Sequence, residues 1–229
     1  MLKIDRFVNW SSRYSGKDSF WNCDDRWHFL RYAKKIKYDY NSLGFRDTEW
    51  PEDLTDVIWC IGDSFTVGLG QPFNETWPQL LQKKLGKRCI NLGENACSND
   101  AILLRTKEVV ERYQPKIVVV MWSYFARRMR GGINVNHDKN DFGNKNDLDN
   151  FSKNFVLAEK LPTKIIHMLI PNAFVNPTIK YATSKKYPGD KINFIEQLDY
   201  ARDGHHFDLK TSQSVANLVA GKINKDIME

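Results

Sequence analysis

The sequence predicts an α/β protein: a three-layer α/β/α sandwich on a parallel sheet of about five strands, flavodoxin-like in its layering. Three observations lead there. Short apolar runs recur along the chain at Val57–Ile61, Arg88–Leu92, Lys116–Trp122 and Lys164–Ile170. Segments of helical spacing separate them. The runs are predominantly apolar instead of alternating strictly with polar residues, which is what a strand covered on both faces requires.

The elements follow in order. Residues 1–50 lack a clear helical or strand period, and mix rings (Phe7, Trp10, Tyr14, Phe20, Trp21, Trp27, Phe29, Tyr32) with charges. They read as an N-terminal extension packed on a main domain at 51–229. Packing is the commoner use of such rings, sugar stacking the other. The extension closes at Asn41-Ser42-Leu43-Gly44-Phe45-Arg46, a turn after which Arg46 can reach back towards the sheet edge. A helix follows the first strand over Trp77–Leu85, with Thr76 as N-cap, Pro78 in its first turn and Gly86 past its end. Asn99–Tyr113 is a second helix, placing Ile102, Leu103, Val109 and Val110 on its apolar positions and stopping at Gln114-Pro115. Residues 127–150, rich in Gly, Asn and Asp, read as a long surface insertion, with a helix near 150–160 behind it. The fourth strand ends at Pro171-Asn172. A loop with Pro177, Pro188 and Gly189 leads to a short fifth strand near Ile192–Ile195, and a helix over Thr211–Ile223 ends the pattern.

Composition excludes several classes. At 229 residues, 41% hydrophobic and 27% charged, with seven Trp, nine Tyr and thirteen Phe, the chain can bury a sizeable core and is not disordered. The net charge of +6 comes from dispersed pairs such as Lys34-Lys35 and Arg127-Arg128, which reads as a solvated surface. A nucleic-acid partner is therefore not expected. Cys23, Cys60, Cys89 and Cys97 form no CxxC pair and no metal spacing, so neither a metal nor another cofactor is implied and a reducing compartment is the simpler inference. With no apolar stretch of spanning length and no signal-type start, the expected location is the cytoplasm, away from membranes.

One stretch carries chemistry. The first strand stops at Gly62-Asp63-Ser64, just ahead of a helix, where open α/β sheets place their ligands. Ser64 there is either an activated nucleophile or part of an ordinary strand-to-helix cap. A nucleophilic serine needs a base. His28 lies in the extension and His137 in the polar loop, both unremarkable as exposed residues, while His167 inside a strand reads as a satisfied core residue. Asp203-Gly204-His205-His206 differs: it follows the last strand and sets an acid three residues before a histidine. A carboxylate so placed can hold the imidazole in one tautomer while the other ring nitrogen faces the serine.

These blocks resemble a family. Gly62-Asp63-Ser64-Phe65-Thr66, then Val67-Gly68-Leu69-Gly70 and Glu75-Thr76-Trp77-Pro78-Gln79-Leu80-Leu81, closely resemble the first block of the SGNH, or GDSL, hydrolases. Asp203-Gly204-His205-His206 is similar to the family's closing Asp-x-x-His block, and Asn41–Arg46 to a box found upstream of the serine in some members. Thr66 breaks a Gly-x-Ser-x-Gly pattern, which argues against the ordinary α/β-hydrolase elbow. The resemblance implies the SGNH fold, with Ser64 as nucleophile, His206 as general base then acid, and Asp203 orienting it; His205 is the runner-up base. It also implies an oxyanion hole from the N–H groups of Ser64 and Ala96, since Asn91–Ser98 matches the second block with Ala96 at the family's oxyanion glycine. The third block departs. Where the family has Gly-x-Asn-Asp, this chain reads Ser123-Tyr124-Phe125-Ala126, with Phe125 at the asparagine. Loss of one such donor costs ~10²–10³ in rate. Asn95, Ser123 and Arg127 are the candidate substitutes.

The implied activity is hydrolysis of small acyl esters through an acyl-enzyme, with an O-acetylated carbohydrate as the expected substrate. The altered blocks keep a second reading open, in which the chain is a non-catalytic SGNH-like module for glycan binding or assembly.

Overall fold

A computed structural model of the chain describes residues 16–130, 133–136, 145–170 and 191–227. After a turn of 3-10 helix at Phe20–Asn22 come α1 (Arg26–Arg31), β1 (Ile58–Gly62), α2 (Ser64–Val67) and α3 (Trp77–Leu85). Next are β2 (Cys89–Gly93), α4 (Asn99–Tyr113) and β3 (Ile117–Trp122), then the pair β4 (Arg127–Arg130) and β5 (Ile133–Asn136). The chain continues through α5 (Lys145–Glu159), β6 (Lys164–Leu169), β7 (Ile192–Asn193) and α6 (Leu209–Ile227).

β1, β2, β3, β6 and β7 form one parallel sheet in the order β2-β1-β3-β6-β7, with Cys60 paired to Asn91 on one side and to Val119 on the other. Period-two alternation sends Trp59, Ile61, Val118, Val120 and Trp122 to one face, where α4 and α5 cover them with Ile102, Val109, Phe151 and Phe155. Ile58, Cys60, Val119 and Met121 face the other way, under Trp77 and Leu81 of α3 and Val215, Val219 and Ile223 of α6. Both faces being apolar is why the strand sequences do not alternate. The α/β three-layer architecture is as the sequence predicts.

The chain leaves β1 for one neighbour, β2, and later returns to lay β3 on the other side. That reversal opens a crevice beyond the carboxyl end of β1, and Ser64 begins α2 there. Two glycines let α2 sit so close. A Cβ on Gly93 would stand 2.8 Å from the Thr66 carbonyl carbon, and one on Gly62 would run into the Thr66 hydroxyl.

The structure differs from expectation in three places. Part of the expected insertion at 127–150 is built: Arg127–Arg130 and Ile133–Asn136 pair antiparallel, and α5 already starts at Lys145. Asp100 of α4 anchors this region by accepting from Met129 N (2.8 Å) and from the Asn154 side chain (2.9 Å). In the extension, Trp21 and Trp27 stand 77% and 71% exposed instead of packed. Thr76 does precede α3, but its hydroxyl donates back to Phe73 O (2.9 Å) and does not cap the helix. Phe7, Trp10, Tyr14, His137 and the proline loop after β6 lie outside the described residues.

Candidate active site

Ser64 and Asp63 are set by the end of β1. Asp63 is the N-cap of α2, its carboxylate accepting from Phe65 N (3.0 Å). Ser64 is the first residue of that helix, where backbone N–H groups have no intrahelical acceptor. The cap reading and the nucleophile reading therefore divide between neighbours: Asp63 caps, and Ser64 Oγ is left to the histidine.

The loop between β7 and α6 brings that histidine. His206 Nε2 lies 2.7 Å from Ser64 Oγ, and its Nδ1 lies 2.5 Å from Asp203 Oδ2. The other carboxylate oxygen, Oδ1, accepts from the backbone N–H of His205 and of His206, both at 3.0 Å. Burial disfavours the charge on Asp203, but the facing imidazole and those two donors outweigh it and hold the carboxyl at about 2. Ser64, Asp203 and His206 are all buried, so these contacts act with little competition from water. Phe65 packs against the His206 ring with centroids 4.6 Å apart, fixing its plane.

His205, the alternative base, does not face the serine. Its Nε2 meets the Tyr124 hydroxyl (3.1 Å) and its Nδ1 meets Asp24 (3.0 Å). Burial, and then the adjoining His206, push its ionisation below the usual histidine range against the pull of Asp24. His167 is the core residue the sequence suggests. It accepts from Trp122 Nε1 (3.0 Å) and its Nε2 meets Glu159 (2.8 Å), while burial takes its pKa down to about 4. His28 is more engaged than expected, its Nε2 donating to Ala201 O (2.8 Å).

Ala96 stands on a turn beyond β2, closed by Cys97 N to Glu94 O (3.2 Å) and tied to the serine strand by Glu94 N to Gly62 O (3.1 Å). Arg105 of α4, buried, pairs with Glu94 and donates to Leu92 O (3.3 Å). The turn puts Ala96 in the left-handed region at φ 58°, a conformation glycine adopts freely and alanine only at a cost of about 1–2 kcal/mol. The alanine thus takes up the backbone shape expected of the family's glycine.

The third-block residues are placed differently from what alignment alone suggests. The Phe125 ring lies in the core against Phe151 (4.5 Å between centroids). Asn99 of α4 sets this geometry: its Oδ1 accepts from Ser123 N (2.9 Å) and its amide donates to Tyr124 O (3.1 Å). Ser123 and Arg127 both turn to Asp63, with Ser123 Oγ at 2.5 Å and Arg127 Nη1 at 2.8 Å from Oδ2. The guanidinium lies 4.8 Å over the Tyr124 ring. Asn95 is exposed and lies against Gly16. Ser123 and Arg127 thus buttress the residue before the nucleophile, and Asn95 does not share that role.

Arg46 reaches back to the main domain and is buried under the segment after α2, where it donates to the carbonyls of Val67 (3.3 Å), Gly68 and Gln71 (2.8 Å) and stacks on Tyr38. Among the described residues, no group of three His, Cys, Asp or Glu side chains is arranged to hold a metal, and no helix is long and apolar enough to cross a membrane.

No family model and no curated protein sequence matches the chain. Solved structures do. A family two carbohydrate esterase from Clostridium thermocellum, in complex with cellohexaose, aligns at TM-score 0.51 and 16% identity, over 77% of this chain and 66% of that one. A carbohydrate esterase family 2 enzyme from Corynascus thermopiles (Myceliophthora fergusii) aligns at 0.50 and 15%, over 80% and 69%. A psychrotrophic esterase from Pseudoalteromonas sp., inhibited by monoethylphosphonate, aligns at 0.50 and 16%, over 76% and 100%. Likeness at these identities is a likeness of fold, and with the sheet order, the two end blocks and the crevice at β1 in place, the chain has the fold of the SGNH, or GDSL, hydrolases.

Proposed function

We propose that the protein is a serine ester hydrolase acting through an acyl-enzyme, with Ser64 as nucleophile, His206 as base then acid, and Asp203 orienting it. The observation that carries this reading is the unbroken chain Ser64 Oγ to His206 Nε2 (2.7 Å) and His206 Nδ1 to Asp203 (2.5 Å). Ser64 Oγ attacks the ester carbonyl as His206 takes its proton. The Ser64 and Ala96 N–H groups stabilise the oxyanion, and His206 returns the proton to the departing alcohol. Water, deprotonated by His206, then cleaves the acyl-enzyme to release the acid and regenerate Ser64. A left-handed Ala96 supports its place in the hole, because that backbone shape is the one expected of the glycine it replaces.

For the substrate we propose an O-acetylated carbohydrate. Trp21 and Trp27 offer open rings, and their neighbour Asp24 touches both Asp203 and His205. Esterases of this fold that act on carbohydrate give the idea further support. Four unpaired cysteines fit a reducing location, for which we propose the cytoplasm.

A fluorophosphonate probe and p-nitrophenyl acetate test the reaction. Covalent labelling and turnover are expected in the wild type and lost in Ser64→Ala, with the far-UV spectrum unchanged. A folded wild type that neither labels nor turns over would instead be the non-catalytic module, for which the missing third-block amide is the motive.

A further inference from the structure

The loop that carries Asp203 and His206 is held by the segment after α2, through Arg202 N to Gly70 O (2.8 Å) and Gln71 Nε2 to Phe207 O (2.8 Å), and on its other side by the N-terminal segment. Asp24 N donates to Asp203 O (2.9 Å), and His28 Nε2 donates to Ala201 O (2.8 Å). Gly204, at φ 71°, lies against Asp25, where a Cβ would stand 3.2 Å from the aspartate backbone. Asp18 is buried and takes the Arg202 guanidinium in a two-pronged pair, Nε to Oδ2 at 2.6 Å and Nη2 to Oδ1 at 2.8 Å. Tyr38 also donates to Asp18, and Phe29 packs under the Arg202 guanidinium at 4.7 Å. On the other side of Asp203, the Asp24 carboxylate meets His205 Nδ1 (3.0 Å), whose Nε2 meets Tyr124 beyond β3 (3.1 Å). Further on, Tyr32 and Lys34 reach Asp208 (2.9 and 3.0 Å).

Each residue from Ala201 to His205 thus touches this segment. His206, next in line, is set by what its neighbours do: Ala201 N donates to His206 O (2.7 Å), and Asp203 holds its ring and its N–H.

We propose that residues 18–34 are a positioning strap for the Asp203–His206 loop, in which Asp18 through Arg202 and Asp24 through His205 keep the His206 imidazole aimed at Ser64. Bidentate pairing suits this task, because it fixes orientation as well as distance. Misplacement by an ångström costs a catalytic group much of its rate, while ground-state binding of a small ester is spared. The strap rests on the reading of the site given above. Asp18 and Asp24 act through Arg202 and His205 and make no contact of their own with Ser64 or the His206 ring.

The test uses the full chain with Asp18→Ala, Arg202→Ala and their combination, and Asp24→Ala. Asp24 is chosen because its carboxylate is 67% exposed and its loss spares the core. p-Nitrophenyl acetate kinetics and hydrogen–deuterium exchange of peptides covering 201–208 are measured in parallel. The expected result is a kcat about tenfold lower for Asp18→Ala and for Arg202→Ala, with KM within about twofold. The double variant falls no further than either single one, and exchange rises in 201–208 but not in β1 or β3. Asp24→Ala shows the same pattern at smaller amplitude. Folded variants with unchanged exchange in 201–208 overturn the strap, as does raised exchange with kcat unaltered, which is a structural brace alone. Failure of the site reading is distinct, since it shows in the wild type as absent turnover.

Discussion

Asparagine at position 203 is a permanent analogue of the protonated acid, so Asp203→Asn isolates what the charge does. The carboxyl is held at about 2 in the folded protein against 3.8 for the unperturbed group. A depressed acid adds stability above its unfolded pKa and loses it as pH falls through the folded one. The difference amounts to about 2 kcal/mol at pH 7, where the contribution is complete, and shrinks to about 0.4 kcal/mol at pH 2. For a chain of this size that corresponds to a midpoint lowered by about 4–8 °C at neutral pH. Urea unfolding followed by circular dichroism at pH 7, 5, 3 and 2 measures it directly. Wild type and Asp203→Asn should differ by a constant amount at pH 7 and 5, and converge between pH 4 and 2. Activity at pH 7 should fall far more than stability, because the neutral amide can present the wrong hydrogen-bonding partner to His206 Nδ1. Equal stabilities at pH 7, or a gap that stays open at pH 2, would refute the coupling between the carboxylate and the imidazole.

Two further substitutions probe the third block. Phe125→Asn restores the family residue in sequence but not in space, since the ring it removes is packed on Phe151. It should lose about 3–5 kcal/mol in urea unfolding and gain nothing in kcat, and a folded variant at least tenfold faster would contradict that placement. Arg127→Met strips the cation from the fully buried Asp63, leaving the carboxylate, among the described residues, with Phe65 N and Ser123 Oγ for partners. A loss of about 3–5 kcal/mol is expected by urea unfolding, largely recovered in the Arg127→Met, Asp63→Asn double variant.

Ser64, Asp203 and His206 are legible in the sequence because each lies beside a strong local signal. Ser64 ends an apolar strand, and the acid and histidine sit three apart ahead of an amphipathic helix. Phe125 and Arg127 were not legible, because their directions are imposed by Asn99 from α4 and by the buried Asp63, residues some distance away in sequence. The β4–β5 pair hid for a similar reason: Arg127–Arg130 has no strand-like alternation of apolar and polar residues, and Asp100 anchors it from outside. The N-terminal segment shows no period because polar bonds and ion pairs, more than an apolar face, hold it down. One signal was available there: Asp25 just ahead of Arg26 marks a helix start, and its side chain does cap α1 through His28 N (3.0 Å).

The strap also bears on how the molecule comes together in time. Its contacts with the loop span 173, 181 and 184 residues of sequence, most of the chain's length. Closing so long a loop from an open coil is entropically costly, whereas a sheet already formed from neighbouring segments brings the two ends together beforehand. During synthesis the strap leaves the ribosome well before its partners and meets them only after residue 208 has emerged. Docking of residues 18–34 is therefore expected to be the closing step of folding, with the serine, histidine and aspartate brought into line only then.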